Sequence, residues 1–215
     1  MQFNGRAESK VGLVLSFVIG QFRENKTRVF TVLGVLIVIG VAAFLIISRI
    51  QKYDVSASDR YSQGYGNLLA GNQQQGVTML EELIKIYPNT PAAYEARLIL
   101  SDYGVAQENF AQALNYVYEV SKKGKPKTIR PIGLYRAIYI YDQTNDIDNA
   151  IKNSNEFIKN YKEHYLVRDV YANLARFYLI KQNSADAKRI YNEILTKFPA
   201  TDEAILATRM LESIQ

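Results

Sequence analysis

Apolar and polar positions divide the chain into one continuous apolar stretch and a series of amphipathic segments that follow it. Residues 29–48, VFTVLGVLIVIGVAAFLIIS, contain no charged side chain. A helix of this length is about 30 Å long, which matches the hydrocarbon core of a bilayer. The stretch therefore predicts a transmembrane helix, and its length and polar flank disfavour a cleaved signal peptide. Residues 49–56 are expected to be a linker.

A 37-residue period runs through the amphipathic part of the chain, residues 57–200. Small residues recur at this interval, with large apolar residues after them and then aromatic residues. These positions are Gly76, Ala113, Ala150 and Ala187; Leu83, Val120, Phe157 and Ile194; and Tyr87, Tyr161 and Phe198, with Gly124 as the one exception. Such a period is typical of a solenoid, in which each unit buries its apolar face against its neighbours.

Each unit contains two helical patterns separated by a short polar break. Apolar residues follow i, i+3, i+4, i+7 spacing on both sides of the break. The breaks at 71–72, 145–146 and 183–184 contain residues that end one helix and cap the next. The predicted fold is all-α: a single transmembrane helix, an α-solenoid of about four helical hairpins over 57–200, and a capping helix over 201–215.

This pattern resembles the tetratricopeptide repeat, whose consensus has small residues at positions eight and twenty and proline near position thirty-two. The last unit matches through Tyr171, Leu174, Ala175, Tyr178, Ala187, Tyr191, Ile194 and Pro199, and the first through Gly64, Gly76, Leu80, Leu83 and Pro88. In the middle units, Ser101 and Ile138 replace a small residue, and Lys125 and Lys162 replace the proline. The resemblance implies a concave groove lined by the first helix of each unit.

That groove is the candidate binding site for a protein segment. The resemblance assigns eight residues to it: Tyr61, Tyr65, Leu98, Asp102, Tyr135, Tyr139, Asp169 and Arg176. Tyrosine is enriched at interfaces because it combines a large contact area with a hydrogen-bonding hydroxyl. The alternative is that several of these tyrosines only pack between neighbouring helices.

The formal net charge of +5 is concentrated near the N-terminus. Residues 1–28 carry five basic and two acidic side chains, whereas the rest of the chain is nearly balanced. This distribution disfavours a nucleic-acid binder and favours a basic leader beside a membrane. A small excess of positive charge before the apolar stretch predicts a cytoplasmic N-terminus and periplasmic repeats.

Residues 11–22 form a second apolar run that is too short to span a bilayer. In a helix, Gly12, Ser16 and Gly20 would share one ridge and let another backbone approach closely. An amphipathic helix on the inner leaflet is the favoured interpretation, and a helix-packing ridge is the alternative.

The sequence contains no signature of catalysis, metal binding or cofactor binding. The absence of cysteine excludes disulfides and thiol chemistry, and the single histidine, His164, is expected in an exposed loop. Asp142, Asp146 and Asp148 depart from the calcium-loop pattern, because threonine and isoleucine occupy two of its required positions. We therefore expect a protein that is not an enzyme and needs no cofactor.

A run of basic residues separates the second and third units: Lys122, Lys123, Lys125, Lys127 and Arg130. Most runs of this kind are solvated, which is the favoured interpretation. A site for acidic partners or lipid headgroups is the alternative.

The single membrane helix, the basic leader and the periplasmic repeats together resemble the YfgM-type ancillary subunits of the bacterial Sec translocon, and residues 22–26 add a local similarity. Residues 87–96 resemble instead the repeats of Tol-Pal coordinators. The first resemblance implies a membrane-anchored adaptor that binds translocon subunits or periplasmic chaperones during secretion. The alternative is a structural subunit or scaffold of a larger envelope complex, such as a divisome or Tol-Pal-like assembly, with self-association as one mode.

Overall fold

The computed structural model describes residue 20 and residues 26–214, with Val29 described by its backbone alone. Within these residues the protein consists of helices and turns and has no strand. Its helices are α1 (Lys26–Leu69), α2 (Gln73–Ile86), α3 (Pro91–Ala106), α4 (Phe110–Lys123), a 3₁₀-helix (Lys127–Ile129), α5 (Arg130–Gln143), α6 (Ile147–Asn160), α7 (Val167–Ile180), α8 (Ser184–Lys197) and α9 (Asp202–Ser213). The chain divides into two compact units, Met1–Lys52 and Tyr53–Gln215.

The first unit contains the apolar stretch predicted from the sequence. In the described part of the chain, α1 is the one helix that is long and apolar enough to cross a membrane. An 18-residue window of it has a mean hydropathy of 3.0 and buries no residue. Residues 49–56, expected to be a linker, lie within α1, because they contain neither glycine nor proline to end the helix.

The predicted helix over 11–22 lies outside the described residues, apart from Gly20. Gly20 is helical and exposed, and a Cβ atom there would meet nothing within 4 Å. The predicted ridge of Gly12, Ser16 and Gly20 therefore stays a prediction.

The second unit is the predicted solenoid of four helical hairpins closed by α9. We refer to the first helix of each hairpin as an A helix (α1 from Tyr53 onward, α3, α5 and α7) and to the second as a B helix (α2, α4, α6 and α8). From α2 to α9, each helix packs against the next. Three clusters of buried apolar side chains follow one another along the array, and each joins neighbouring hairpins.

The small residues of the 37-residue period lie where the A and B helices cross. Ala113, Ala150 and Ala187 are fully buried, and Gly76 is buried as well. The first hairpin has a close approach of its two helices: a Cβ atom on Gly76 would lie 2.8 Å from the backbone oxygen of Gly64. A side chain larger than the present residue at any of these positions would force the two helices apart.

Every turn from an A helix to a B helix repeats the same backbone conformation. Its central residue has a positive φ angle: 84° at Gly71, 58° at Glu108, 55° at Asn145 and 57° at Gln182. The next residue is the N-cap of the B helix, namely Asn72, Asn109, Asp146 or Asn183. All but Asn72 accept a hydrogen bond from the backbone N–H three residues later, at 3.1–3.3 Å. The breaks predicted at 71–72 and 145–146 are confirmed. In the break predicted at 183–184, Asn183 is the N-cap, whereas Ser184 is already the first residue of α8.

The aromatic positions of the period cap the C-termini of the B helices. Tyr87, Tyr161 and Phe198 each donate a backbone N–H to the carbonyl four residues earlier, at 2.8 Å. Gly124 occupies the equivalent place with a different backbone, φ −46° and ψ 140°. A Cβ atom there would lie 2.5 Å from the carbonyl oxygen of Val120, which explains why this position alone carries glycine.

Candidate protein-binding groove

The A helices place the predicted groove residues side by side. Two of these residues come from each A helix: Tyr61 and Tyr65 from α1, Leu98 and Asp102 from α3, Tyr135 and Tyr139 from α5, and Asp169 and Arg176 from α7. Because the hairpins repeat at 37 residues, residues 61, 98 and 135 occupy equivalent places, as do residues 65, 102, 139 and 176.

The main pocket of the groove has a volume of about 390 Å³ and lies between α1, α3, α5 and the turn before α5. Its apolar lining consists of Leu98, Ile99, Pro126, Ile129 and Ile132, beside Tyr61 and Thr128. The charged residues of the pocket are Glu95 and Arg136. The pocket therefore offers an apolar surface with one acidic and one basic group beside it.

A smaller pocket of about 120 Å³ adjoins the first, because Arg136 lines both. Arg136 Nη2 forms an ion pair with Asp102 Oδ2 at 3.0 Å, which links α5 to α3. Arg136 Nη1 and Ser101 Oγ are buried and have no hydrogen-bond partner in the described part of the chain. A buried polar atom without a partner is unfavourable, so a polar group or a water molecule that enters this pocket gains two donors.

Each of the two tyrosine pairs, one on α1 and one on α5, has a half-buried member and an exposed member. The rings of Tyr61 and Tyr65 are stacked, with centroids 5.8 Å apart and an interplanar angle of 9°. Tyr61 and Tyr135 are half-buried, whereas Tyr65 and Tyr139 are 37% and 50% exposed. The partial burial of Tyr61 and Tyr135 agrees with the alternative, in which these side chains pack between helices. Tyr65 and Tyr139, one helical turn later, are more exposed.

Leu98 differs from the other predicted groove residues because it is 7% exposed and belongs to the apolar core. It contributes to the lining of the main pocket and is not free to reach a partner by itself.

Desolvation raises the pKa of several groove side chains, among them Tyr61 and Asp102. The pKa of the Tyr61 hydroxyl is raised by desolvation and then by the neighbouring Glu95 and Tyr65. Desolvation also raises the pKa of Asp102, although the Arg136 guanidinium opposes this shift. The Asp102 side chain is itself 55% exposed, so solvent screens its ion pair with Arg136.

The far end of the groove is built from paired charges. Arg176 Nη2 binds Asp142 Oδ2 at 2.6 Å and contacts Asn173 Oδ1 at 3.3 Å. The pKa of Tyr135 is raised first by desolvation and then by Asp169 and Tyr165, so Tyr135 and Asp169 are electrostatic neighbours. Neither of the two groove pockets extends to this end.

The sequence analysis did not assign Glu95, Ile99, Ile132 and Arg136 to the groove, although they line its pockets. The 37-residue period could have identified them, because they share repeat positions with predicted groove residues or directly follow them. Glu95 and Ile132 occupy the same repeat position as Asp169, and Ile99 and Arg136 share the repeat position that follows Leu98 and Tyr135. Only tertiary packing shows that these positions converge on one pocket.

The acidic residues that suggested a calcium loop have partners within the fold. Asp142 pairs with Arg176, Asp146 caps α6 and Asp148 pairs with Lys181 at 3.0 Å. His164 lies in the turn between α6 and α7, and its Nδ1 accepts a hydrogen bond from the Leu166 N–H at 3.3 Å. Desolvation lowers the pKa of His164 below its ordinary value.

Helical hairpins that cross at small residues and present one lined groove define an α-solenoid interaction module. The family model of the tetratricopeptide repeat-like domain matches residues 22–214, and the chain belongs to this family. Repeats of this kind bind protein partners, and proteins of this fold are typically scaffolds without catalytic activity. A search of curated proteins finds no match to the chain.

Solved structures are similar in fold. A tetratricopeptide repeat protein from Parabacteroides merdae aligns with a TM-score of 0.60 and 19% identity over 74% of this chain. This alignment spans 60% of the length of the Parabacteroides protein. A protein of nearly identical tetratricopeptide-like repeats from Podosopora anserina aligns with a TM-score of 0.53 and 15% identity, over 73% of this chain and 84% of that one. At these identities the similarity shows the fold alone.

Proposed function

We propose that this protein is a membrane-anchored adaptor whose groove binds a segment of a partner protein. The observation that carries the proposal is the main pocket between α1, α3 and α5. Five apolar residues line it, and Glu95 and Arg136 provide one charge of each sign. An apolar pocket with a few convergent polar groups is the usual form of a binding site.

The pocket chemistry defines the kind of segment that binds. One apolar side chain of the partner fills the volume of about 390 Å³ over Ile129 and Ile132. A carbonyl or carboxylate oxygen of the same segment accepts hydrogen bonds from Arg136 Nη1 and Ser101 Oγ once the smaller pocket opens. The exposed hydroxyl of Tyr139, which lines that pocket, adds a third donor.

The anchor is the apolar part of α1. Large apolar side chains over 30–47 are exposed in the first unit, and a surface of this size is unfavourable in water. The family match begins at residue 22 and so includes this stretch together with the repeats. In the proposed topology, residues 29–48 span the cytoplasmic membrane, the N-terminus is cytoplasmic and the repeats are periplasmic.

The proposed partners are subunits of the Sec translocon or periplasmic chaperones that receive the emerging chain. This assignment rests on the resemblance to YfgM-type translocon subunits and on a groove suited to a protein segment. Crosslinking identifies the partner directly.

Photocrosslinking in intact cells tests the adaptor. A photoreactive residue at Tyr139 is expected to give products with a translocon subunit or a chaperone, because this side chain is 50% exposed in the groove. The matched control is Tyr118, which is 58% exposed on a B helix. Equal products from both positions, or products from Tyr118 alone, would contradict the groove assignment.

Cysteine labelling tests the anchor and its orientation, because the chain has no native cysteine. Gln107→Cys lies in the repeats and Asn4→Cys in the leader. In intact cells with a permeabilised outer membrane, an impermeant maleimide is expected to label Gln107→Cys and not Asn4→Cys. The opposite pattern would reverse the topology, and extraction of the protein by alkaline carbonate would exclude a spanning helix.

A second candidate function is that of a structural subunit in a larger envelope complex. The terminal helix α9 favours it, because Ile205 and Leu206 are 55% and 47% exposed on a helix that closes the array. Terminal caps of repeat arrays usually present a polar outer face. Crosslinks from Leu206 to a second copy or to another subunit, with none from Tyr139, would favour this function over the adaptor.

A further inference from the structure

Charge is distributed unevenly between the two edges of the solenoid. Because consecutive helices run in opposite directions, the turns from B to A helices lie along one edge and the turns from A to B helices along the other. The B-to-A turns, taken as 83–94, 120–131, 157–168 and 194–205, contain ten basic and three acidic side chains. The A-to-B turns, taken as 66–77, 103–114, 140–151 and 177–188, contain two basic and five acidic side chains.

The basic edge contains an open cleft between its second and third turns. The cleft has a volume of about 630 Å³ and is lined by Lys127, Thr128, Pro131 and residues 159–164. Three of its side chains are lysines, Lys127, Lys159 and Lys162, and its one carboxylate is Glu163. We call these three residues the lysine cleft.

The three lysines are exposed and available for a ligand. In residues 26–214, none of them forms a hydrogen bond or an ion pair with another side chain, in contrast to basic neighbours such as Lys122, which binds Glu156 at 2.7 Å. Lys123 is likewise paired with Glu119 at 3.1 Å. Unpaired lysine ammonium groups that line one cleft favour a ligand with several negative charges.

The basic edge is also the edge at which the second unit begins. Tyr53 donates its hydroxyl to the Ile86 carbonyl at 2.7 Å, and its ring packs against Tyr87 with a centroid distance of 4.7 Å. The first B-to-A turn therefore lies beside Tyr53, which follows Ser48 by five residues. Even a fully extended chain of five residues spans no more than about 18 Å.

We propose that the lysine cleft binds the phosphate headgroups of anionic phospholipids and so docks the solenoid on the membrane surface. This inference rests on the proposed membrane anchor, which holds the basic edge within reach of the headgroups. Each lysine near an anionic membrane surface adds attraction that falls off within about 8 Å in physiological salt. The favoured class of ligand is a layer of acidic lipid, since the lysines lie on one open surface and do not form a closed pocket.

Quenching by headgroup-labelled lipid tests the proposal on the full-length chain. Thr128→Cys places a single dye at the cleft, and Gln107→Cys places the same dye at the opposite edge as a matched control. Each protein is reconstituted into phosphatidylcholine vesicles with or without phosphatidylglycerol, both containing a nitroxide-headgroup lipid. We expect phosphatidylglycerol to increase quenching at residue 128 and not at residue 107, and high salt to reverse the increase.

Charge reversal separates the cleft from general electrostatic attraction. The variant Lys127→Glu/Lys159→Glu/Lys162→Glu is expected to weaken docking about a hundredfold or more. The control variant Lys152→Glu/Lys181→Glu/Lys188→Glu has the same net charge and leaves the cleft intact, so it is expected to dock within a few fold of the unchanged chain. Equal losses in the two variants would overturn the proposal.

Two further outcomes would overturn it. Quenching at residue 128 that does not depend on phosphatidylglycerol would exclude a role for acidic lipid. A dye response to soluble polyglutamate without any response to phosphatidylglycerol would assign the cleft to an acidic protein instead. Alkaline extraction of the same vesicles distinguishes the proposed membrane anchor from the proposed lipid binding. Release of the protein would contradict the anchor. Protein that is retained but does not respond to phosphatidylglycerol would contradict only lipid binding by the lysine cleft.

Discussion

At the residue scale, the first hairpin depends on two glycines, Gly64 and Gly76, at which its helices approach each other closely. A Cβ atom on Gly76 would lie 2.7 Å from the Leu68 side chain and 2.8 Å from the Gly64 backbone oxygen. The side chain of Leu68 can move, but the Gly64 backbone can shift only with its helix. The three later hairpins have alanine at this position, so their helices already allow for a methyl group.

We predict that Gly76→Ala lowers the free energy of unfolding by about 1–3 kcal/mol through overpacking. Thermal melting of the full-length chain in detergent, followed by circular dichroism, measures the change. Gly66→Ala is the matched control, because a Cβ atom there meets nothing within 4 Å. That control is expected to stabilise its helix by about 0.5–1 kcal/mol. A Gly76→Ala midpoint equal to that of the unchanged chain would contradict the close approach.

At the element scale, each hairpin turn requires one residue in the left-handed region of backbone space. Gly71 adopts it without strain, whereas Glu108, Asn145 and Gln182 adopt it with a side chain. Asparagine tolerates this conformation better than most residues, which leaves Glu108 and Gln182 as the strained positions. Asn109 follows Glu108 and caps α4, so that this turn keeps its geometry despite the strain.

Glu108→Gly is expected to stabilise the protein by about 0.5–1 kcal/mol, because glycine adopts a φ of 58° without steric cost. Gln107→Gly, one residue earlier, is the control. Gln107 has a φ of −96°, so glycine there only adds freedom to the unfolded chain and lowers stability. The two variants should shift the thermal midpoint in opposite directions, and shifts of the same sign would refute the explanation by strain.

Also at the element scale, the turn between α6 and α7 makes the stability of the protein depend on pH. His164 is half-buried, its Nδ1 accepts the Leu166 N–H at 3.3 Å, and its ring packs edge-on against Phe157 with centroids 5.7 Å apart. Protonation of Nδ1 would break this hydrogen bond, and desolvation already lowers the pKa in the folded state. The folded protein therefore binds fewer protons at His164 than the unfolded chain does.

We predict that the contribution of His164 to stability is fully present above pH 6.5, the ordinary pKa of histidine. It is lost as the pH falls through the lowered pKa that His164 has in the folded protein. Comparing the denaturant midpoints of the unchanged chain and of His164→Asn between about pH 8 and about pH 5 isolates it. The unchanged chain should lose more stability on acidification than the variant. Parallel pH profiles would show that His164 does not contribute.

At the scale of the whole molecule, the second unit has a core that continues from one hairpin to the next. Each of its three buried clusters joins elements that are neighbours in sequence. In an array of this kind, stability is close to a sum of hairpin and interface contributions. A defect in one hairpin therefore affects its neighbours before it affects distant ones.

Ala187→Leu tests this locality. Ala187 is fully buried in the cluster shared by α5 to α9, so leucine is expected to cost about 1–3 kcal/mol through overpacking. Hydrogen exchange should accelerate in α7, α8 and α9 and remain nearly unchanged in α2 and α3. Uniform acceleration along the array, or an unchanged melting midpoint, would contradict the prediction.

The sequence by itself determined the features that depend on local spacing. An uncharged stretch of bilayer length needs no tertiary contact to be recognised, and a 37-residue period fixes the hairpins, the crossing residues and the turns at 71–72 and 145–146. These features follow from helical periodicity and from the residues that cap helices, which act over a few positions.

Only the tertiary structure decided which side chains meet across the hairpins. It brought Glu95, Ile132 and Arg136 into the pocket, and it formed the lysine cleft from turns more than thirty residues apart. It also continued α1 through 49–56, where the sequence suggested a linker. The physical reason is that a period fixes equivalent places within repeats, whereas a site forms between repeats from residues that differ in each one.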